Sequence, residues 1–362
     1  MKRARGFSLI ELMVAITLAL IVTAGVISVF VGSRSAFEAT SGTAALTDGG
    51  RFALNFVSNS VRNAGYMSCT TARNVIGILN AGPTPLPFTF SEALGGYEAV
   101  NTGVNQAYNI AATPVAADLN NGDWAGGLDA ALSALPNGSP VQNNDVLVVR
   151  STLKDAQSVY LTNAVAPGSS TFTVNAQGPL AVGQLAVISD CATGIVFQIT
   201  AIGAPGLNQP ITHAAAGLPG NNPASFQLNY AAGAQIAPVD TLVYYIAPGA
   251  DQDSALWIAD LNAKGAFTTA ELVPDIEAMQ ILYGVDTTNS QIVSGYVTAD
   301  QVGDFNTVMS VKVALLAASA PGSAHPTGAK TYNLLGVTVT APNDTRSRQV
   351  FEETIAVRDS LP

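Results

Sequence analysis

A chain of 362 residues with a net charge of −10 and only 11% charged side chains has room for one large domain or two modest ones. Its acidic balance, 15 Lys+Arg against 25 Asp+Glu, does not favour phosphate backbones, so no nucleic-acid partner is expected. Two histidines, no G-x-S-x-G elbow, no G-x-x-x-x-G-K-[ST] loop and no H-E-x-x-H pair leave hydrolase, ATPase and zinc-protease chemistry without residues to carry it; no enzyme activity, cofactor or metal is expected.

The chain opens Met1-Lys2-Arg3-Ala4-Arg5-Gly6, and Phe7-Ser8-Leu9-Ile10-Glu11 follows at once. About 25 residues from Phe7 to Val31 then run with Glu11 as their only charge; the next is Arg34. The run is too long for the apolar core of an ordinary secretory signal, has no A-x-A site, and is long enough to cross a bilayer as a helix. A plain anchor held inside by Lys2, Arg3 and Arg5 leaves Glu11 unexplained. A carboxylate in a membrane helix costs about 2.5 to 3.5 kcal/mol, so it calls for a partner.

This arrangement resembles the class III signal of type IV prepilins and type II secretion pseudopilins. The resemblance implies that a prepilin peptidase cuts between Gly6 and Phe7 and that Phe7 is N-methylated. It makes 1–6 the leader and 7–65 the transmembrane and polymerisation helix. The new ammonium of Phe7 on one subunit then attracts Glu11 of an incoming one, each relieving the other's desolvation. Without the leader the charge balance becomes 12 Lys+Arg against 25 Asp+Glu. The chain would sit in the inner membrane as a single-pass protein, head outside, and later in a pilus at the cell surface.

Residues 7 to about 64 read as one helix, apolar on all sides in its first half and amphipathic in its second. There Phe52, Leu54, Phe56, Val57 and Val61 recur at helical spacing between Arg51, Asn55, Asn59 and Arg62. Gly42, Gly49 and Gly50, with Thr43 and Thr47, predict a loosened zone over 42–50. Gly65-Tyr66 predicts the helix end. The head, 66–362, begins with Gly-, Pro- and Asn-rich sequence to about 144 that reads as long surface loops, an insertion around 70–144 with a short helix near 128–135. From Asp145 short β-rich runs follow, at 146–150, 158–162, 171–175, 185–189, 195–202, 225–228, 241–246, 256–261, 279–285, 308–316 and 353–357.

Several segments resemble the PilW family of type IV pilus minor pilins. They are Gly50-Arg51-Phe52-Ala53-Leu54 with Val61-Arg62-Asn63-Ala64-Gly65-Tyr66 and Cys69, then Asp190-Cys191 with Phe197-Gln198. Ile276 to Asp286, Tyr296 to Val302, Val311 to Leu316 and Arg346 to Arg358 follow. The resemblance implies an α+β, type IV pilin-like fold: a long N-terminal α-helix packed on an enlarged antiparallel β-sheet head. It implies a minor pilin that primes assembly and sits in the tip complex, with other minor pilins, the major pilin and a large tip adhesin as partners. A J-type secretion pseudopilin and a surface-binding module that uses the insertion are the alternatives.

Cys69 and Cys191 are the only cysteines, and in an exported chain they predict one disulfide closing a loop of about 120 residues; two free buried thiols are the alternative. The segment Asp286-Thr287-Thr288-Asn289-Ser290 stands where family members often carry an Asp-rich loop, and with one carboxylate it is too poor in oxygen ligands for calcium. Asp118 to Asp123 lacks a closing glutamate and reads as an Asn/Asp turn. His213 and His325 lie in Pro/Gly/Ala-rich loop sequence and are expected to be solvated. Asp251/Asp253 and Glu352/Glu353 are expected on solvated turn or strand surfaces.

Overall fold

The structure, a computed structural model, describes residues 8–358 apart from 81, 83–85, 118–121, 134, 136–137, 154–156, 176–179, 224, 262–265 and 327. Helix α1 spans Leu9–Asn63 without a break. It starts on Ser8 and ends at Ala64, after which Gly65 takes a φ of +79°, the left-handed turn that glycine adopts most readily.

The loosened zone expected over 42–50 is absent; the helix is continuous there. Two of its glycines serve packing. Gly42, Leu46, Gly50, Ala53, Leu54, Val57, Ser58 and Val61 form one buried stripe at three-to-four spacing against the head. The hydroxyls of Thr43 and Thr47 donate to the carbonyls of Ala39 and Thr43, which keeps them inside the helix's own hydrogen-bonding.

Eleven strands organise the head. They are β1 (Leu94–Tyr97), β2 (Val146–Thr152), β3 (Leu185–Ser189), β4 (Gly194–Gln198), β5 (Gln235–Pro248), β6 (Ser254–Leu261), β7 (Phe267–Pro274), β8 (Ile276–Val285), β9 (Gly295–Val297), β10 (Val308–Ala318) and β11 (Arg348–Ala356). The larger sheet is built on β5. Its last residues pair with β6, which continues to β7, while Val239–Tyr244 pair with β2 on the other side, and β2 with β1. Its first residues, Gln235–Pro238, pair instead with β3, which continues to β4. The second sheet has four antiparallel strands in the order β9-β8-β10-β11.

Both faces of the four-stranded sheet are covered, which is why β8 and β10 read as near-continuous apolar runs rather than alternating ones. Met279, Ile281, Val311, Val313, Leu315, Phe351 and Ile355 join the main core with α1. Ala278, Ala314 and Leu316 face a hairpin of Thr331–Leu334 and Val337–Thr340, which pairs in parallel with Ala107–Asn109. A separate core lies around Phe172, Phe197, Ile211, Phe226 and Tyr230.

Several expectations are corrected. The segment 66–144 is not a set of surface loops, since Phe90, Leu94, Trp124 and Leu132 are fully buried. Its short helix is the single turn Ala130–Ser133. Residues 225–228 do not form a strand: Phe226 is held by Ser169 and Gly168 backbone bonds with its ring in the second core. The run 195–202 is split into β4 and Ala201–Ile202, which belong to different sheets. Strand β7 was not anticipated, because Glu271 and Pro274 interrupt its apolar pattern.

Adjacent glycines of α1 give a test of the helix–sheet contact. A Cβ on Gly50 would sit 2.2 Å from Cε2 of Phe351 on β11, whereas one on Gly49 would sit 3.6 Å from Val273. Gly50→Val is expected to destabilise by about 2 kcal/mol through overpacking. Gly49→Ala is expected to stabilise by up to about 1 kcal/mol through helix propensity. Denaturant unfolding of the two variants checks the pair, and equal effects would refute the close approach.

Candidate assembly site

At the start of α1, the Ser8 hydroxyl accepts from the Glu11 backbone N–H at 3.3 Å, and a Glu11 carboxylate oxygen accepts from the Ser8 N–H at 3.0 Å. This reciprocal box satisfies two of the amide groups a helix start leaves unpaired, and it puts a carboxylate at the positive end of the helix dipole. Gly6 and Phe7, where cleavage and methylation are expected, lie outside the described residues.

From Leu9 to Val31 every side chain is exposed, Leu9 at 78% and Phe30 at 68%. At 1.5 Å per residue this stretch is about 35 Å long, enough for a hydrocarbon layer of about 30 Å. Its two threonine hydroxyls turn back onto the helix: Thr17 donates to the Val14 carbonyl and Thr23 to that of Ala19. Helix α1 thus has two parts, an apolar rod free of the head and a half that is packed into it. At the base, Arg62 pairs with Glu353 of β11 at 2.8 Å, and Ser58 donates to the same carboxylate at 3.0 Å.

Cys69 and Cys191 are bonded, joining the turn after α1 to the β3–β4 turn. Nearby, Ser68 donates to the Gln235 side chain at the start of β5 at 2.6 Å. The bridge ties the helix base to the β3–β4 turn, and the hydrogen bond ties it to β5, whose residues enter both cores.

The remaining candidates separate by environment. Asp286 accepts from the Thr288 and Gln291 amides and from the Thr288 hydroxyl, so its carboxylate closes its own turn. Of the second Asn/Asp candidate, 118–121 lie outside the described residues; Asp123 accepts from the Gln142 side chain. Asp251, Asp253 and Asp275 bring carboxylate oxygens within 4.8 Å of one another, but the Arg346 guanidinium donates to Asp253 and Asp275. Arg348, nearly buried, holds Glu277 and Asp344. Glu352 is exposed, as expected, whereas Glu353 is engaged by Arg62.

His213 is not solvated. It is fully buried, its ring stacked on Phe226 at 3.9 Å, and burial pushes its imidazole down to about 4. His325 is exposed.

Glu98, Asn144, Asp145 and Arg150, absent from the candidates the sequence offers, are all nearly buried. Arg150 donates to the carbonyls of Leu86, Glu92 and Leu94, pinning the insertion to β2. The signal available was a polar run, Asn143-Asn144-Asp145, directly ahead of an apolar strand.

Two family models match the chain. Residues 1–27 match the prokaryotic N-terminal methylation motif, and residues 243–359 match type IV pilus-assembly protein W. The second match begins within β5 and ends beyond β11, so it takes in the four-stranded sheet and leaves the separate core around Phe226 outside. Among curated proteins and among solved structures, none matches.

Proposed function

For this chain, a PilW-family type IV pilin, we propose the role of a minor pilin that primes polymerisation and sits in the tip complex after prepilin peptidase has cut between Gly6 and Phe7. The observation that carries this reading is the pairing of a free apolar rod with a bulky head. The rod from Leu9 to Val31 suits first a bilayer and then the packed core of a fibre. Outside the matched residues 243–359 the head carries a second apolar core. A subunit of that bulk would crowd its neighbours along a helical filament, and a tip subunit has none above it.

Before assembly the rod is the membrane anchor and the head lies in the periplasm. The proposed partners are the peptidase, other minor pilins, the major pilin and a tip adhesin. The match over 243–359 favours a pilus over the J-type secretion pseudopilus.

The first test is co-expression with a prepilin peptidase followed by mass spectrometry of the mature N-terminus. The expected product begins at methylated Phe7; an uncut chain, with the peptidase active on a control, would overturn the reading. Sheared pili should also contain far less of this chain than of the major pilin. Equal amounts would make it a shaft subunit and rule out the tip role.

A further inference from the structure

We propose that the carboxyl groups of Glu98 and Asp145 form a proton-operated clasp that holds the insertion on the four-stranded sheet, closed while the pair shares one proton and loosened once it is lost. Asp145 precedes β2. One of its oxygens accepts from the Ile281 amide of β8 at 2.7 Å and the other from the Ala99 amide of the insertion at 3.0 Å. Asn144 beside it accepts from the Met279 amide at 2.8 Å. A single side chain thus links the insertion to β8 at the point where the pairing of β1 with β2 ends, Tyr97 opposite Val146.

Glu98 is 5% exposed and Asp145 is 2% exposed. Glu98 Oε1 accepts from the Thr102 hydroxyl at 3.3 Å; its Oε2 is buried and makes no hydrogen bond, although the nearby Ala299 amide favours the ionised carboxylate and opposes the effect of burial. Both Asp145 oxygens already have amide donors. The oxygen without a donor is where a proton resolves the contact, with the Glu98 hydroxyl donating to Asp145; two ionised carboxylates here would repel with nothing between them. The titratable groups around the pair are themselves acids: Asp300 toward Glu98, the Tyr108 phenol toward Asp145 and the Tyr283 phenol toward both. Burial, then Asp300, pushes Glu98 up to about 7; burial and Glu98 raise Asp145 well above the carboxylate range. The folded pair therefore holds its proton more tightly than the unfolded chain. The stabilisation is complete below the ordinary carboxylate value of 4.5 and falls away as pH rises from there through about 7.

Loosening has somewhere to act. A cavity of about 400 Å³ adjoins the clasp, lined by Glu98, Asn101, Gln106, Tyr296, Thr298 and Asp300. Trp124 is a built-in reporter: it is buried, its indole donates to the Asn144 carbonyl at 3.2 Å, and the next residue's amide, that of Ala125, donates to the Glu98 carbonyl at 2.9 Å.

The chain has two tryptophans, so Trp257→Phe in the full-length protein leaves Trp124 alone. Its emission is expected to shift to the red as pH rises from 5 to 9, with a midpoint near neutrality. In Glu98→Gln the amide supplies a permanent donor, and the shift should vanish. No transition in the parent, or an unchanged one in Glu98→Gln, would overturn the clasp. A second acid pair, buried Asp240 on β5 with half-buried Asp260 on β6, also holds its proton above the carboxylate range, so if Glu98→Gln does not fold, infrared difference spectra of Asp240→Asn, which removes that pair, decide the matter. A protonated-carboxyl band that disappears as pH rises through neutrality supports the proposal; no such band in mild acid refutes it.

Discussion

A Glu11→Val chain is expected to be cleaved and methylated at the normal level yet to be missing from sheared pili. The basis is electrostatic. In the isolated chain, among the described residues, the Glu11 carboxylate accepts the Ser8 amide at the helix start. On the proposed cleavage after Gly6, the Phe7 ammonium of a neighbour would be a far stronger partner in a medium of low dielectric. Valine removes the charge without shortening the apolar rod. It also removes half of the capping box, worth about 1 kcal/mol, a loss that a helix of 55 residues with its second half packed into the head absorbs. Glu11→Gln separates the two effects, because its side-chain oxygen can still accept from Ser8 while the charge is gone. Both variants should be absent from pili. Normal incorporation of Glu11→Gln would reduce Glu11 to a helix cap; normal incorporation of Glu11→Val would remove its role in docking altogether.

How much of this was legible beforehand depended on whether the signal was local. The helix start, the apolar rod and the stop at Gly65 are written in consecutive residues, and β2, β3, β6, β8 and β10 stand out as short apolar runs. The glycines of 42–50 misled, because helix propensity carries no information about a partner surface. Gly50 is where Phe351 approaches, some 300 residues later in the chain. The insertion misled for the same reason. Phe90, Leu94 and Trp124 are scattered among Gly, Pro and Asn, so no periodicity announced that they would be buried. His213 read as a loop residue, and it is one; its burial depends on Phe172, Phe197 and Phe226, which come from separate segments. In the same way, Glu98 and Asp145 lie 47 positions apart and become a pair only when the fold is complete.

Replacing both Cys69 and Cys191 with serine is expected to give the largest loss of stability of any change in the head. The bond closes a segment with a sequence separation of 122 residues, for which chain-entropy reasoning gives about 4 to 5 kcal/mol. The loss should be concentrated where the bridge acts. On one side is the turn that follows α1. On the other is the β3–β4 turn, where the Asp190 carboxylate accepts from the Ala192 and Thr193 amides and keeps its own local shape without the bond. What the serine chain lacks is therefore the connection rather than either turn. The Ser68–Gln235 hydrogen bond, the parallel pairing of Val75–Gly77 with β4 and the Ile78 amide's bond to the Val196 carbonyl are among the links that still hold the second core to the helix base. Hydrogen exchange should rise first in β3 and β4, ahead of β8 and β10. Denaturant unfolding should show a lower midpoint, and reductant should bring the parent chain to the same value while leaving the double variant unmoved. A loss below about 1 kcal/mol would mean that the two cores hold together by packing and that the bridge is redundant in the folded head.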